Sequence, residues 1–193
     1  MPEPMTSALI DEILAEHRED WSCGDEEGWA GYRNHAQRVF LFARELTAPG
    51  AEVEERIAIA AAFHDIAALR TVDYLDLDLE PMQVWLAAYG RPEWYRDIAL
   101  AMTLHHRIRP YRGEAAWLVE GIRRADWIEC SAGRLRSGLS RDLVQRAQRA
   151  LPMRKFAIDS GKKIVWHAVT HPGNPLPFWR SGPTLRRMGL VEP

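Results

Sequence analysis

Residues 57–69 read IAIAAAFHDIAAL. Every position is Ile, Ala, Phe or Leu except two, His64 and Asp65, which stand side by side. Alanine is the strongest helix former and carries no polar atom to satisfy, so the run predicts a buried helix. Glu52, Glu54 and Glu55 precede it, where the helix dipole favours acids, and the predicted span is Glu52 to Leu69. A carboxylate inside an apolar helix is costly unless something pairs with it, so the doublet needs a reason.

Helical periodicity continues on both sides. Thr6 or Ser7 caps a first helix running to about Asp20, with Leu9, Ile13 and Leu14 on one face. Glu26 to Leu46 is a second, stopped by Thr47-Ala48-Pro49-Gly50. Downstream, helices are predicted over Pro81–Tyr89, Pro92–His106, Glu114–Cys130, and from the cap Ser140 to Ala150. No stretch alternates with period two, so the expected class is all-α. Residues 1–151 read as the domain, and 152–193 as an extension packing on it. Within the extension, HPGNPLPFWRSGP has four prolines and two glycines and is expected to be irregular. Its Leu176, Phe178 and Trp179 suit a strap that packs on the domain, and with His171 they could cover a site entrance.

Bulk properties narrow the class. At 193 residues and 47% hydrophobic content, the chain can bury a real core in one domain. The opening MPEPMTSALIDEILAEHRED has neither a basic start nor a long apolar run, so no signal peptide or membrane span is expected there. Cys23 and Cys130 form no CxxC site and read as inert packing residues in a reducing cytoplasm. The net charge of −2 divides unevenly. Residues 1–99 hold 20 acids against 8 Lys/Arg, and residues 100–193 hold 7 against 17. The halves can neutralise each other on packing, or some arginines can line an anion site. No basic stripe interleaved with aromatics favours nucleic acid.

The ionisable residues fall on the apolar faces. Stepping back four from Val39 in the stripe Val39, Phe42, Ala43 and Leu46 reaches His35. Ile57, Ala60 and Ala61 lead to His64; Ile98, Ala101 and Met102 lead to His105; Leu118, Val119 and Ile122 lead to Asp126. His106 is turned about 100° from His105 on an ideal helix. Singly, each is an ordinary hydrogen-bonded core residue, and Asp126 could pair with Arg123 or Arg124. Together, two histidines and two aspartates converging in one bundle suit a divalent metal ion, which keeps carboxylates ionised and imidazoles neutral inside a core.

The ordered set His35, His64-Asp65 and Asp126, in the contexts YRNHAQRV, AAFHDIA and RRADWIE, resembles the HD-domain superfamily of metal-dependent phosphohydrolases over residues 30–130. TLHH, with His105 and His106, resembles it too. The resemblance implies a helical bundle in which His35, His64, Asp65 and Asp126 ligate the metal. It also implies hydrolysis of a phosphate ester, of a nucleotide or another small metabolite, by metal-activated water. Mixed imidazole and carboxylate ligands suit Mn, Fe, Co, Ni or Zn, and Mg less well. His105 and His106 are candidates to bind phosphate, protonate a leaving oxygen or ligate a second metal. Arg38, Arg70, Arg107 and Arg109 are candidates to neutralise charge on the phosphate. Relatives often carry a Gly or Glu shortly after the doublet. Here HDIAALRTVDY has neither, and Asp73 is the nearest acidic substitute. Trp127, next to Asp126, is expected to shape the pocket. The alternatives are a di-iron oxygenase of the same superfamily, which needs further His ligands, and a non-catalytic regulator that binds metal or nucleotide. The expected partner is a small phosphorylated substrate, with neither nucleic acid nor membrane, and a homodimer stays open.

Overall fold

The computed structural model describes residues 5–21, 25–47 and 50–189. Cys23, and Ala48 and Pro49 of the stop signal, lie outside the described residues. The described chain is an all-helical bundle with no strand. In chain order the α-helices are α1 (Ala8–Glu16), α2 (Arg18–Trp21), α3 (Glu26–Leu46), α4 (Ala51–Phe63), α5 (Leu79–Ala88), α6 (Tyr95–Leu104), α7 (Ala116–Cys130), α8 (Arg141–Ala150), α9 (Phe156–Thr170) and α10 (Ser181–Arg187). Short 3-10 turns cover Ile66–Leu69, Pro92–Trp94 and Pro177–Trp179. No described helix is long and apolar enough to cross a membrane.

Helix α3 is the axis of the bundle. Asp25 caps it, its side chain accepting from the amides of Glu27 and Gly28, and Glu26 and Glu27 suit the first turn. From Asn34 through Arg44 every residue of α3 is buried, because α4, α7 and α9 pack around it. Alanines 58 and 60–62 give α4 a small cross-section, so α3, α1 and α6 can all approach it. Gly31 admits α9. A Cβ there would lie 2.8 Å from the Cβ of Phe156 and 2.9 Å from the carbonyl oxygen of Met153. That close approach sets the start of α9 one turn from His35.

Three expected elements are corrected. The third helix does not run to Leu69: it ends at Phe63, and the chain turns at His64 and Asp65 into a 3-10 turn. Helix α6 stops at Leu104 rather than His106 and begins at Tyr95, after a 3-10 turn at the proline. The extension after residue 151 is not irregular throughout, since it holds α9 and α10. Helix α9 escapes an amphipathic reading because both its faces are apolar. Phe156, Ala157 and Ile164 border an internal cavity, while Ile158, Val165, Trp166 and Val169 are exposed on the other side. In the proline-rich segment, Phe178 joins Ala67, Val72, Tyr74 and Leu75 in a small apolar cluster.

Candidate metal centre

Two helix ends and the interiors of two helices build the centre. His35 projects from the middle of α3, and Asp126 from α7. His64 caps the C-terminus of α4 with αR backbone, and Asp65 follows outside both the helical and the extended regions, at φ −134° and ψ 19°. A continuous helix would turn these neighbours about 100° apart. The break lets both face the same point. His105 caps α6 in the same manner.

One donor atom from each of His35, His64, Asp65 and Asp126 lies within 4.8 Å of the others. The Nε2 atoms of His35 and His64 are 3.0 Å apart. His35 Nε2 is 3.8 Å from Asp65 Oδ2 and 3.8 Å from Asp126 Oδ1, and His64 Nε2 is 3.8 Å from Asp65 Oδ2. Metal–ligand bonds of roughly 2.1 Å put neighbouring donors about 3.0 Å apart at a right angle and about 3.4 Å apart at a tetrahedral angle. The observed edges are of that scale.

The proton inventory tests whether a cation fits. His64 Nδ1 donates to the Ala61 carbonyl at 2.9 Å, so its neutral ring carries a bare lone pair on Nε2. His35 Nδ1 faces Glu129 Oε2 at 3.3 Å and donates to it. Burial pulls the His64 pKa down to about 4, against the pull of Asp65, so the ring is neutral near pH 7. Burial alone would raise Asp126, yet the hydrogen bond and charge of His106 bring it down to about 2. Asp65 is likewise held well below the usual range, its burial outweighed by His64 and His105. Two carboxylates and two imidazole nitrogens thus meet, and Asp65 Oδ1 and Asp126 Oδ1 are buried without a hydrogen-bond partner. These residues fit a divalent cation, whose identity the donor set leaves open.

His105 and His106 extend the cluster. His105 is fully buried, its Nδ1 donating to the Met102 carbonyl and its Nε2 3.1 Å from Asp65 Oδ1. That contact lacks hydrogen-bond alignment, since neither atom has a partner by geometry. Burial disfavours its charged form, but Asp65 wins and the pKa is raised. His106 Nδ1 lies 3.4 Å from Asp126 Oδ2, and its Nε2 is 2.5 Å from the Tyr74 hydroxyl. Burial and then His105 lower its pKa, so a neutral ring can donate from Nδ1 to Asp126 and accept at Nε2 from Tyr74. Asp65, His105 and His106 form a second group of potential ligands, with Asp65 common to both.

Three carboxyl or phenol groups that sequence reasoning passed over support the centre. Glu129 accepts from Arg38 Nε at 2.8 Å and Nη2 at 2.5 Å besides holding His35. Its place three residues after Asp126, on the same helical face, was the available signal. Asp78, beneath the doublet, accepts from the Ala67 amide at 2.8 Å. Burial and the Asp65 charge push its pKa well up. Tyr74 is raised well above 10 by burial and then by Asp65, so it remains a donor.

Several candidate residues sit elsewhere than expected. Asp73 is exposed and borders no part of the centre; its neighbours Val72 and Tyr74 line the cavity instead. The Arg38 guanidinium is fully buried and engaged by Glu129 and the Leu151 carbonyl, so it braces His35. Arg109 is exposed and borders, with Arg107, a separate groove on the far side of His106, Phe178 and Trp179. Arg123 pairs with Glu120 and Arg124 with the Ser137 carbonyl, which leaves Asp126 to the histidines. Trp127 lines the cavity. His171 stacks on His167, and the strap contributes Phe178 and Trp179 to the cavity wall. Cys130 also lines it, its thiol 3.5 Å from Asp126 Oδ2.

The chain matches no protein-family model, no curated protein and no solved structure.

Proposed function

We propose that the chain is a metal-dependent phosphohydrolase of the HD-domain type, acting on a phosphate ester of a small metabolite. The observation that carries this reading is the convergence of four potential ligands, two carboxylates and two imidazoles, of which His35, Asp65 and Asp126 line a cavity. A divalent ion held there supplies Lewis acidity to a phosphoryl oxygen and lowers the pKa of water. Phosphorus gains a bond to a water oxygen and loses its bond to the ester oxygen, giving an alcohol and inorganic phosphate. Glu129 and Asp78 hold His35 and the doublet turn in the orientation this requires. The Tyr74 hydroxyl, which donates to His106 Nε2 at the cavity edge, would turn to give its proton to the leaving oxygen, and the proton lost by the attacking water would restore it through His106. Asp73 and Arg109 have no part in this mechanism.

A second reading has its own observation. Asp65 turns Oδ2 to His35 and His64 and Oδ1 to His105, the arrangement of a carboxylate shared by two ions. A two-iron oxygenase would show two irons per chain, a visible absorption band and oxygen consumption. The phosphohydrolase reading is tested by elemental analysis with a phosphate-release screen over nucleotides, sugar phosphates and other monoesters. Release that requires metal and is abolished in His64→Ala supports it. A metal-loaded chain that releases phosphate from no ester overturns it.

A further inference from the structure

The cavity above the centre encloses about 430 Å3, within the size range of small-molecule sites. His35, Asp65, His106 and Asp126 form its floor. The walls are of another character: Val72, Trp127, Phe156, Ile164, Phe178 and Trp179 surround the space over the floor. Two phenyl rings are seated against the floor itself. Phe156 lies 5.3 Å from the His35 ring, and Phe178 lies 4.8 Å from His106, both measured between centroids.

The cationic groups of the lining are already engaged. Arg38 donates to Glu129 and to the Leu151 carbonyl. Lys163 donates to the carbonyls of Ala68 and Leu69, capping the turn after the doublet. These are the Lys and Arg residues among the described lining. Of the other polar groups, Trp127 Nε1 donates to the Arg107 carbonyl, the Tyr74 hydroxyl faces His106 and Thr71 Oγ1 accepts from the Asp73 amide, so the Ser160 hydroxyl is the lining side chain left to a ligand's polar edge. A polyphosphate needs several converging cations, and a sugar or a base edge needs several uncommitted hydrogen-bonding groups. An apolar ring needs only shape and freedom from water.

We infer that the cavity selects phosphate monoesters of apolar, ring-bearing alcohols over nucleotides and sugar phosphates. This deepens the phosphoester reading and rests on it for the role of the floor. The phosphate stands on the metal-binding floor, and the hydrocarbon ring occupies the space between α7, α9 and the strap. Ile164 and Trp179 are specificity-determining residues, and the extension after residue 151 supplies the side of the cavity that reads the alcohol.

Binding and turnover, measured separately, test the two readings apart. The metal-loaded chain is titrated by calorimetry with 1-naphthylmethylphosphonate, methylphosphonate and the 5′-phosphonate analogue of AMP, none of which has an ester bond to lose. Apolar pocket contacts discriminate by about 10–200-fold per methylene, so the naphthyl ligand is expected to bind about 100-fold more tightly than the other two. Ile164→Asn is expected to reduce that preference about tenfold, and Trp179→Ala, at a half-exposed position that tolerates truncation, to reduce it several-fold. An AMP analogue that binds as tightly as the naphthyl ligand overturns the selectivity, whatever the turnover. So does a preference that survives both substitutions. Tight naphthyl binding without phosphate release from 1-naphthyl phosphate or any other ester retains the selectivity and overturns the hydrolase reading instead.

Discussion

Glu129→Leu separates what holds the fold from what holds the metal. Glu129 is 2% exposed and Arg38 0% exposed, and the carboxylate takes two hydrogen bonds from the guanidinium. Removing one partner of a buried ion pair leaves the other charged and unsolvated, which typically costs about 3–5 kcal/mol. For a chain of 193 residues, about 2–4 °C of Tm accompanies each kcal/mol, so the metal-free variant is expected to melt about 6–20 °C lower. Replacing both partners, as Arg38→Met with Glu129→Leu, removes the stranded charge and is expected to restore most of that loss. Metal affinity behaves otherwise. Both variants take the carboxylate from His35 Nδ1, and loss of such a support lowers metal affinity about 10–100-fold. The double variant is therefore expected to regain Tm without regaining affinity. Thermal unfolding after chelation and a competition titration with a metal indicator measure the two quantities. A single variant that melts within 2 °C of the parent chain would refute the buried-pair argument. A double variant that binds metal as the parent does would refute the support of His35 by Glu129.

Three further outcomes follow from the geometry. His64→Ala and Asp65→Ala are each expected to lose the bound ion by elemental analysis, and with it the thermal stability that the ion confers; stoichiometric metal in both would overturn the ligand assignment. Since His106 reaches the cavity whereas His105 is sealed behind Asp65, His106→Ala is expected to lower kcat at full metal content, while His105→Ala is expected to act through metal content; the opposite pattern in paired metal and rate assays would reverse the roles. Asp78→Asn tests a buried acid. Its pKa is raised, so the folded chain keeps a proton that the unfolded chain releases above the usual 3.8, and stability falls as pH rises from there toward the folded value. The asparagine keeps the acceptor for the Ala67 amide without that loss, so in the metal-free chain it is expected to melt higher than the parent at pH 7, with the gain shrinking toward pH 4. A gain independent of pH would show that Asp78 is ionised in the fold.

The sequence by itself determined the helical class and pointed to the four residues that could hold a metal ion. Both are matters of residue type and of spacing along one helix: an alanine-rich run has few alternatives to a helix, and counting four back from Val39 and four on from Ile122 places His35 and Asp126 on buried faces. Tertiary structure decided what spacing cannot express. The helical count carried α4 through His64 and α6 through His106, but both helices stop short, because a doublet can aim two side chains at one ion only where the backbone departs from helical geometry. Asp73 looked like the available acid because it was near in sequence. The folded chain turns it to solvent and buries Asp78 beneath the doublet instead, five residues further on. Arg38 looked like a phosphate ligand until Glu129, 91 residues away, claimed its guanidinium. Helix α9 was hidden because it is apolar on both sides, one toward the cavity and one outward. Which side turns inward depends on Gly31, whose missing Cβ lets Phe156 settle one turn from His35. That contact lies between residues 125 apart in the chain, and no local pattern encodes it.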